Sequence, residues 1–337
     1  VESLSKIRIE PAVLAGICRR YLGADLASSR ELTDGWFNTI HRLDAADGRR
    51  AVLKASPPPG FTVMRYERGL IDCETETLRL LADAGLKAPR VLAASSGGDG
   101  IPHPWFLMDY LEGDSLAKRR ASLAPAEGDR IDAEVAAQAA RVNALAGPRF
   151  GRWLEDGTAA ARWSDSLLAM VDDVLADARD RAVELPASAA AVRAAYAAAK
   201  PELDEVAVPR LVLWDLHDGN VVVGGEPVGL AGFLDTDRAL WGDPLMEFYF
   251  RGLAKASGAW RTAYRAACAA SGLADPADRP GAGRCLALYD LYLALVMLVE
   301  TAFRGYGPDH IAWTRGHCAQ AWAAVAERVQ RSMAPRS

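Results

Sequence analysis

Residues 211–235 constrain the fold of this chain more than any other stretch. The segment "LVLWDLHDGNVVV" sets two carboxylates, an imidazole and an amide between apolar runs that read as buried strand. The second run passes through "GGEP" into "GLAGFLD", so residues 211–235 are expected to be strand with a hairpin around GGEP. A hairpin brings its two ends together, which makes Asn220, at its start, and Asp235, at its end, expected neighbours. An amide and a carboxylate are hard oxygen ligands of the kind Mg²⁺ prefers. Asp215, a few residues upstream, would reach the same spot as a general base or as an orienting group for a hydroxyl. These are the parts that phosphoryl transfer requires. Each residue alone reads as an Asx cap on a turn; the ordered set D-x4-N, hairpin, D favours chemistry.

Lys54 stands in "AVLKAS", where every other residue is small or apolar. On a strand it shares a face with Val52, while Ala51, Leu53 and Ala55 point the other way. A lone strand lysine is also a common edge device against aggregation. Glu74 shifts the balance. In the helix expected over residues 63–85, Ile71, Glu74, Leu78 and Leu81 are spaced three, four and three, so a carboxylate lies on the apolar stripe. Burying it without a partner is costly, and Lys54 is the expected partner. The pair would present one positive charge to phosphates.

The flanking texture is two-part. Residues 11–22 carry apolar positions at helical spacing behind Pro11, and "TIHRLDAADGRRAVLKAS" (39–56) reads as a hairpin turning at Ala46, Asp47 and Gly48. After the helix closed by Gly85, "APRVLAAS" and "HPWFLMDYLEG" read as two more strands, which gives a small sheet with one helix. Beyond Gly113 the chain is Ala-rich and helical in period to residue 200, broken at 146–151 and at Pro186. From 244 onward it is helical again apart from a loop at 271–283. "WFLMDYLEGDSL" marks the change of texture; its spacing leaves open a plain linker or an extended segment that offers backbone groups to a purine.

Several classes are excluded. The chain has 337 residues, 50% of them hydrophobic, enough for a large core in one domain or two lobes. With a net charge of -5 and no basic block, neither nucleic acid nor an anionic membrane is an expected partner. The apolar run at 291–299 is too short to span a bilayer and reads as a buried helix. The first residues carry no apolar signal region, so a cytoplasmic location is expected. Five scattered cysteines without a CxxC pair oppose a disulfide scaffold or a zinc ribbon. His217 reads as a structural imidazole bonded to backbone, Asp218 as a solvated turn residue, and Asp243, ahead of Pro244, as a helix cap.

Together these stretches resemble the aminoglycoside phosphotransferase family of small-molecule kinases, which share the protein-kinase-like fold. The likeness runs from about residue 30 to about residue 255, with the motifs in the family order. "LVLWDLHDGNVVV" is similar to the catalytic loop, which implies Asp215 as catalytic aspartate and Asn220 as metal ligand. "GFLDTDRALWGDPLMEF" resembles the segment equivalent to the kinase DFG region, which implies Asp235 as principal metal ligand. "AVLKASPP" and "DCETETLRLL" match the strand lysine and helix glutamate, implying Lys54 and Glu74. "FLMDYLEG" is similar to the hinge, implying purine contacts from the backbone of Asp109 and Leu111 with Met108 behind them. Three departures stand out. Leu213 replaces the family's histidine, the nucleotide-covering turn "DGWFNT" has one glycine, and Thr236 and Asp237 follow the metal aspartate. Trp36 and Phe37 are expected to close over the phosphates, and Asp237 to face the acceptor.

The resemblance implies an α+β, bilobal protein-kinase-like fold. Its nucleotide-binding N-lobe, a small mixed sheet plus helix, would be residues 1–107, the hinge 108–113, and a larger, mainly helical C-lobe for catalysis and acceptor 114–337. It implies an Mg²⁺-dependent O-phosphotransferase that uses ATP or GTP on a small-molecule hydroxyl. An antibiotic acceptor leads: an aminoglycoside, a macrolide, a cyclic peptide, or a nucleoside such as capuramycin. A metabolic kinase for a sugar, choline-like or amino-alcohol acceptor would use the same residues, and a nucleotide-binding pseudokinase is a third reading.

Overall fold

Two strand-forming segments, "TIHRLDA" and "RAVLKA", are joined by a turn in which the Gly48 N–H donates to Ala45 O at 3.0 Å. Gly48 takes φ +88, a conformation open to glycine at little cost. The computed structural model describes residues 5–33, 37–153, 157–251 and 258–333. In it these segments lie within a five-stranded antiparallel sheet. Its strands are β1 (Leu26–Glu31), β2 (Thr39–Ala45), β3 (Arg50–Ala55), β4 (Val91–Ser95) and β5 (Trp105–Asp109), in the order β1-β2-β3-β5-β4. Strand alternation then divides the core. On one face Leu43, Ala51, Leu53, Ala55, Trp105 and Leu107 pack with Leu14 and Ile17 of helix α1 (Pro11–Ile17) and with Cys18. On the other, Val52, Phe106 and Met108 pack with Ile71 and Leu78 of helix α2 (Leu70–Asp83).

The chain forms two compact units. The first takes the described residues of 1–62, 69–131 and 217–238; the second takes 63–68, 132–216 and 239–337. The first is the mixed sheet-and-helix unit and the second is larger and mainly helical, an α+β, bilobal architecture of the protein-kinase-like type. By packing, residues 108–131 and the hairpin at 217–238 belong with the first unit.

In the second unit the helix Ala282–Glu300 is the core. Leu288, Leu291, Leu293, Leu295, Val296 and Val299 are all buried, and the helix packs most extensively with Pro308–Met333. It is long and apolar enough to cross a membrane by composition, yet most of it is buried inside the protein, as befits a core helix. Helices Trp163–Asp180, Ala189–Ala197 and Gly258–Ala270 also belong to the unit, with a small sheet of Gly151–Arg152, Leu240–Gly242 and Arg210–Val212.

Three details differ from the sequence reading. Helix α2 begins at Leu70, not near residue 63, because Gly69 takes φ +72. Ahead of it Arg65–Glu67 form a 3-10 turn, closed by the Met64 N–H donating to the Glu67 carboxylate at 2.8 Å. Residues 210–212 do not join the 221–233 hairpin but pair with 240–242. The C-terminal helical stretch is also broken at 301–307, where Gly305 and Gly307 precede Pro308.

Candidate active site

Strand β3 lies between β2 and β5, with Lys54 paired to Ile40 and Phe106, so Lys54 is on a central strand and the edge-device reading fails. It shares its face with Val52, which packs on Ile71 and Leu78. Glu74 sits between those two residues on the stripe of α2, and its carboxylate lies 2.6 Å from the Lys54 ammonium. The same ammonium lies 2.6 Å from Asp235 Oδ1 and 3.4 Å from Asp237 Oδ2. Lys54 and Glu74 are 3% and 1% exposed, while the Asp235 side chain keeps 45% of its surface open to solvent.

One ammonium among three carboxylates sets the electrostatics. Burial alone would push the Lys54 pKa down, but Asp235, Glu74 and Asp237 more than reverse that and hold it well above the ordinary lysine value. Burial pushes the Glu74 carboxyl up, against the pull of Lys54. Asp235 falls below the usual carboxylate range because the Lys54 ion pair and hydrogen bond outweigh its burial. Asp237 is raised well above that range, by burial first and then by repulsion from Asp235. The ligand oxygens of Glu74, Asp235 and Asp237 all lie within 4.8 Å of one another. Such a set of hard anionic donors fits a divalent cation of the Mg²⁺ type.

The hairpin delivers Asp235 to this place. Val221 pairs with Phe233, and the Leu234 N–H donates to Asn220 O at 2.8 Å, so the backbone of Asn220 lies beside the residue preceding Asp235. Asn220 closes a 3-10 turn, Asp218–Asn220. In that turn the imidazole of His217 accepts the Gly219 N–H at 2.9 Å through Nδ1. A Cβ on Gly219 would fall 2.5 Å from that ring, so any side chain there would push the imidazole aside. Asp218 is not simply solvated: its carboxylate pairs with Arg120 at 2.8 Å. Asp235 itself takes φ +56, a left-handed conformation uncommon for a residue with a side chain.

Met108 is buried beside Val52, its cross-strand partner, on the same sheet face. The Asp109 N–H donates to Arg90 O at 3.0 Å and its carboxylate accepts from Arg90 Nε at 2.7 Å, so this amide is already engaged. Leu111 is half-buried over Gly232, where an added Cβ would lie 2.9 Å from Leu111 Cδ1. Phe37 is half-buried. Trp36 lies outside the described residues.

Asp215 is half-buried in the second unit, directly after Trp214. Trp214 takes φ +65, which costs a bulky residue about 1–3 kcal/mol. Leu213, where the family carries histidine, is 3% exposed, and its N–H donates to the carboxylate of Glu247. Asp243 caps the next turn by accepting from the Leu245 N–H at 3.0 Å, and its fully buried carboxylate also meets Arg279 and the Tyr289 hydroxyl.

Asp237, expected to face the acceptor, is buried beside Lys54, and one residue, Glu247, escaped the sequence reading. Glu247 held a signal that could have been used, since a glutamate within "DPLMEF" is flanked by apolar residues that bury it.

The chain belongs to the phosphotransferase enzyme family, whose sequence profile matches residues 28–289. It is therefore a kinase of the class that transfers phosphate to an alcohol group. Solved structures share the fold at low identity. A Thermobifida fusca structure assigned as a fructosamine-3-kinase is 18% identical, with 93% of this chain and 98% of that chain covered and a TM-score of 0.67. A macrolide 2'-phosphotransferase from Brachybacterium faecium is 18% identical, with 90% and 97% covered and a TM-score of 0.60. The GDP complex of an aminoglycoside 2'-phosphotransferase of type IIIa is 15% identical, with 95% and 100% covered and a TM-score of 0.60. No curated protein sequence matches the chain.

Proposed function

We propose that this kinase is an Mg·NTP-dependent O-phosphotransferase whose acceptor is the hydroxyl of an antibiotic. The observation that carries the reading is the Lys54 cluster: a buried ammonium oriented by Glu74, next to a carboxylate that is half open to solvent. Lys54, fixed by Glu74, holds the α- and β-phosphates as a point charge. Asp235 and Asn220 hold Mg²⁺, and Asp237, drawn into the same cluster, adds a third carboxylate to the locality. A bound Mg²⁺ supplies neutralisation of the charge on the transferring phosphoryl group. Asp215 accepts or orients the acceptor proton, for which it needs hydrogen-bond reach of the hydroxyl. The Asp109 carbonyl and the Leu111 amide meet the purine of ATP or GTP, with Trp36 and Phe37 over the phosphates. A cytoplasmic location belongs to this reading, and the five buried cysteines, none of them in a disulfide, suit a reducing medium.

Fold neighbours support the acceptor class by analogy, since a macrolide and an aminoglycoside phosphotransferase are among them. The fructosamine-3-kinase neighbour favours a second reading, a metabolic kinase acting on a sugar or amino-alcohol hydroxyl with the same residues. One experiment tests both: phosphate transfer by wild type and Asp215→Ala across panels of antibiotics and metabolites, with ATP and GTP in parallel. Transfer to an antibiotic, reduced about 10²–10⁴-fold in the variant, is the expected result. Transfer to metabolites alone selects the second reading, and an unchanged rate in Asp215→Ala moves the chemistry off that residue.

A further inference from the structure

Two cations converge on one ring just after β5. Tyr110, the residue following Asp109, has the Arg50 guanidinium 5.0 Å and the Arg42 guanidinium 5.7 Å from its ring centroid. Arg42 lies on β2, paired to Val52, and Arg50 opens β3 two residues before Val52, so both stand on the sheet face that carries Lys54. The Tyr110 ring also packs against the cluster of Val52, Phe106 and Met108. Each guanidinium has its own carboxylate, Asp44 for Arg42 at 3.0 Å and Glu112 for Arg50. The Tyr110 backbone is held as well, its N–H donating to Arg50 O at 3.4 Å. Beyond it the chain lies against the hairpin: a Cβ on Gly232 would fall 2.9 Å from Leu111 Cδ1, and one on Gly224 2.5 Å from Glu112 O. All of these residues belong to the first unit.

The arrangement is costly. Two like charges share one ring, and Arg42 Nε is buried with no hydrogen-bond partner among the described residues. Apolar residues at 42 and 50 would cover Val52 without either cost. What the cations supply is a ring held in one place. Tyr110 is flanked by two peptides, one carrying the Asp109 carbonyl and the other the Leu111 amide. A trans peptide sets its C=O and N–H in opposite directions. With the Tyr110 N–H on Arg50 O, the Asp109 carbonyl therefore points away from β3. Arg50 and Lys54 share a face four residues apart, about 13 Å of strand, which is the reach of a nucleotide from its phosphates to its base. We infer that Tyr110, clasped by Arg42 and Arg50, is a positioning residue for the purine, fixing the two peptides that meet the base. The inference rests on the reading of Asp109 and Leu111 as the purine contacts.

The test uses the full chain with Tyr110→Leu, Tyr110→Phe and Arg42→Gln. Calorimetry measures binding of Mg·ATP, Mg·GTP and Mg·tripolyphosphate, the last a probe with phosphates and no base, and kcat is read on the best acceptor from the panel. Tyr110→Leu should weaken the preferred nucleotide at least about tenfold, while tripolyphosphate binding and kcat at saturating nucleotide stay within about twofold. Tyr110→Phe keeps the ring and should restore nucleotide binding to within about twofold of wild type. Arg42→Gln removes one cation and should weaken the nucleotide at least about threefold with tripolyphosphate unchanged; it decides the matter if Tyr110→Leu fails to fold. A merely structural role predicts equal losses for nucleotide and tripolyphosphate, and that result, or unchanged nucleotide binding, overturns the inference. A wild type that holds tripolyphosphate as tightly as ATP and GTP has no base contacts at 109 and 111. That outcome overturns the purine reading itself and is seen before any variant is made, which separates the two failures.

Discussion

Lys54 and Asp235 are 181 residues apart in the chain and 2.6 Å apart in space, ammonium to carboxylate. Glu74 meets the same ammonium at the same distance. Lys54 is therefore the cation around which α2, β3 and the end of the hairpin close. Lys54→Met removes it while keeping most of the stem's volume. Breaking a buried ion pair in this way costs about 3–5 kcal/mol. The cost has a direction with pH. The Glu74 and Asp237 carboxyls already sit above their ordinary range and would rise further without the ammonium. A carboxyl whose folded pKa is raised stabilises below its unfolded value and loses that contribution as pH rises through the folded one. Denaturant titration should find Lys54→Met closer to wild type at pH 5 than at pH 8; an equal deficit at both would contradict this account.

Gly113 tests how the hairpin is held to the segment following β5. It takes φ +135, and a Cβ there would lie 2.2 Å from Val223 O, a backbone atom with nowhere to go. Residues Asp114 and Ser115 pair with Val223 and Val222 just beyond it. Gly113→Ala combines backbone strain with overpacking and should cost about 2–5 kcal/mol. A melting temperature within a degree of wild type would mean that this strand pairing contributes little.

What the sequence made legible was whatever periodicity governs. Period two put Lys54 on the Val52 face and period 3.6 put Glu74 between Ile71 and Leu78, so their meeting followed once β3 and α2 were packed. Hairpin return likewise put Asn220 near Asp235. Where the backbone leaves both periods, direction was lost. Asp237 follows a left-handed Asp235, and no spacing rule says which way a side chain points after such a residue. The segment at 63–68 was read as helix because its composition allows it. Its fate is decided by Gly69 and by partners more than a hundred residues away, Asp177 and Arg304. The burial of Glu247 was legible from its apolar flanks, but its partner was not, since the Leu213 amide is a backbone group whose position no letter encodes.

Asp243 is 0% exposed and joins Arg279 and the Tyr289 hydroxyl, which in turn accepts from the Trp163 indole at 2.8 Å. Burial would lower the Arg279 pKa, but Asp243 and its neighbours hold it above the ordinary value. Arg279→Leu strands the Asp243 carboxylate and should cost about 3–5 kcal/mol. Tyr289→Phe removes one neutral donor to a charged acceptor and should cost about 1.5–3 kcal/mol. Denaturation midpoints in the reverse order would show the hydroxyl, not the guanidinium, to be the principal support of Asp243.

Glu247 makes a final prediction through its pKa, which burial raises from 4.5 to about 7 against the opposing pull of the Leu213 and Trp214 amides and the Asn143 side chain, with Asp215 adding a further rise. The shift is upward for an acid, so its contribution to stability is complete below pH 4.5 and is lost as pH climbs through about 7. A difference of that size corresponds to about 3 kcal/mol. Glu247→Gln cannot ionise, so wild-type stability minus variant stability should fall by about that amount between pH 4.5 and pH 8, measured by denaturant titration. A difference flat across that range would assign the residue an ordinary pKa.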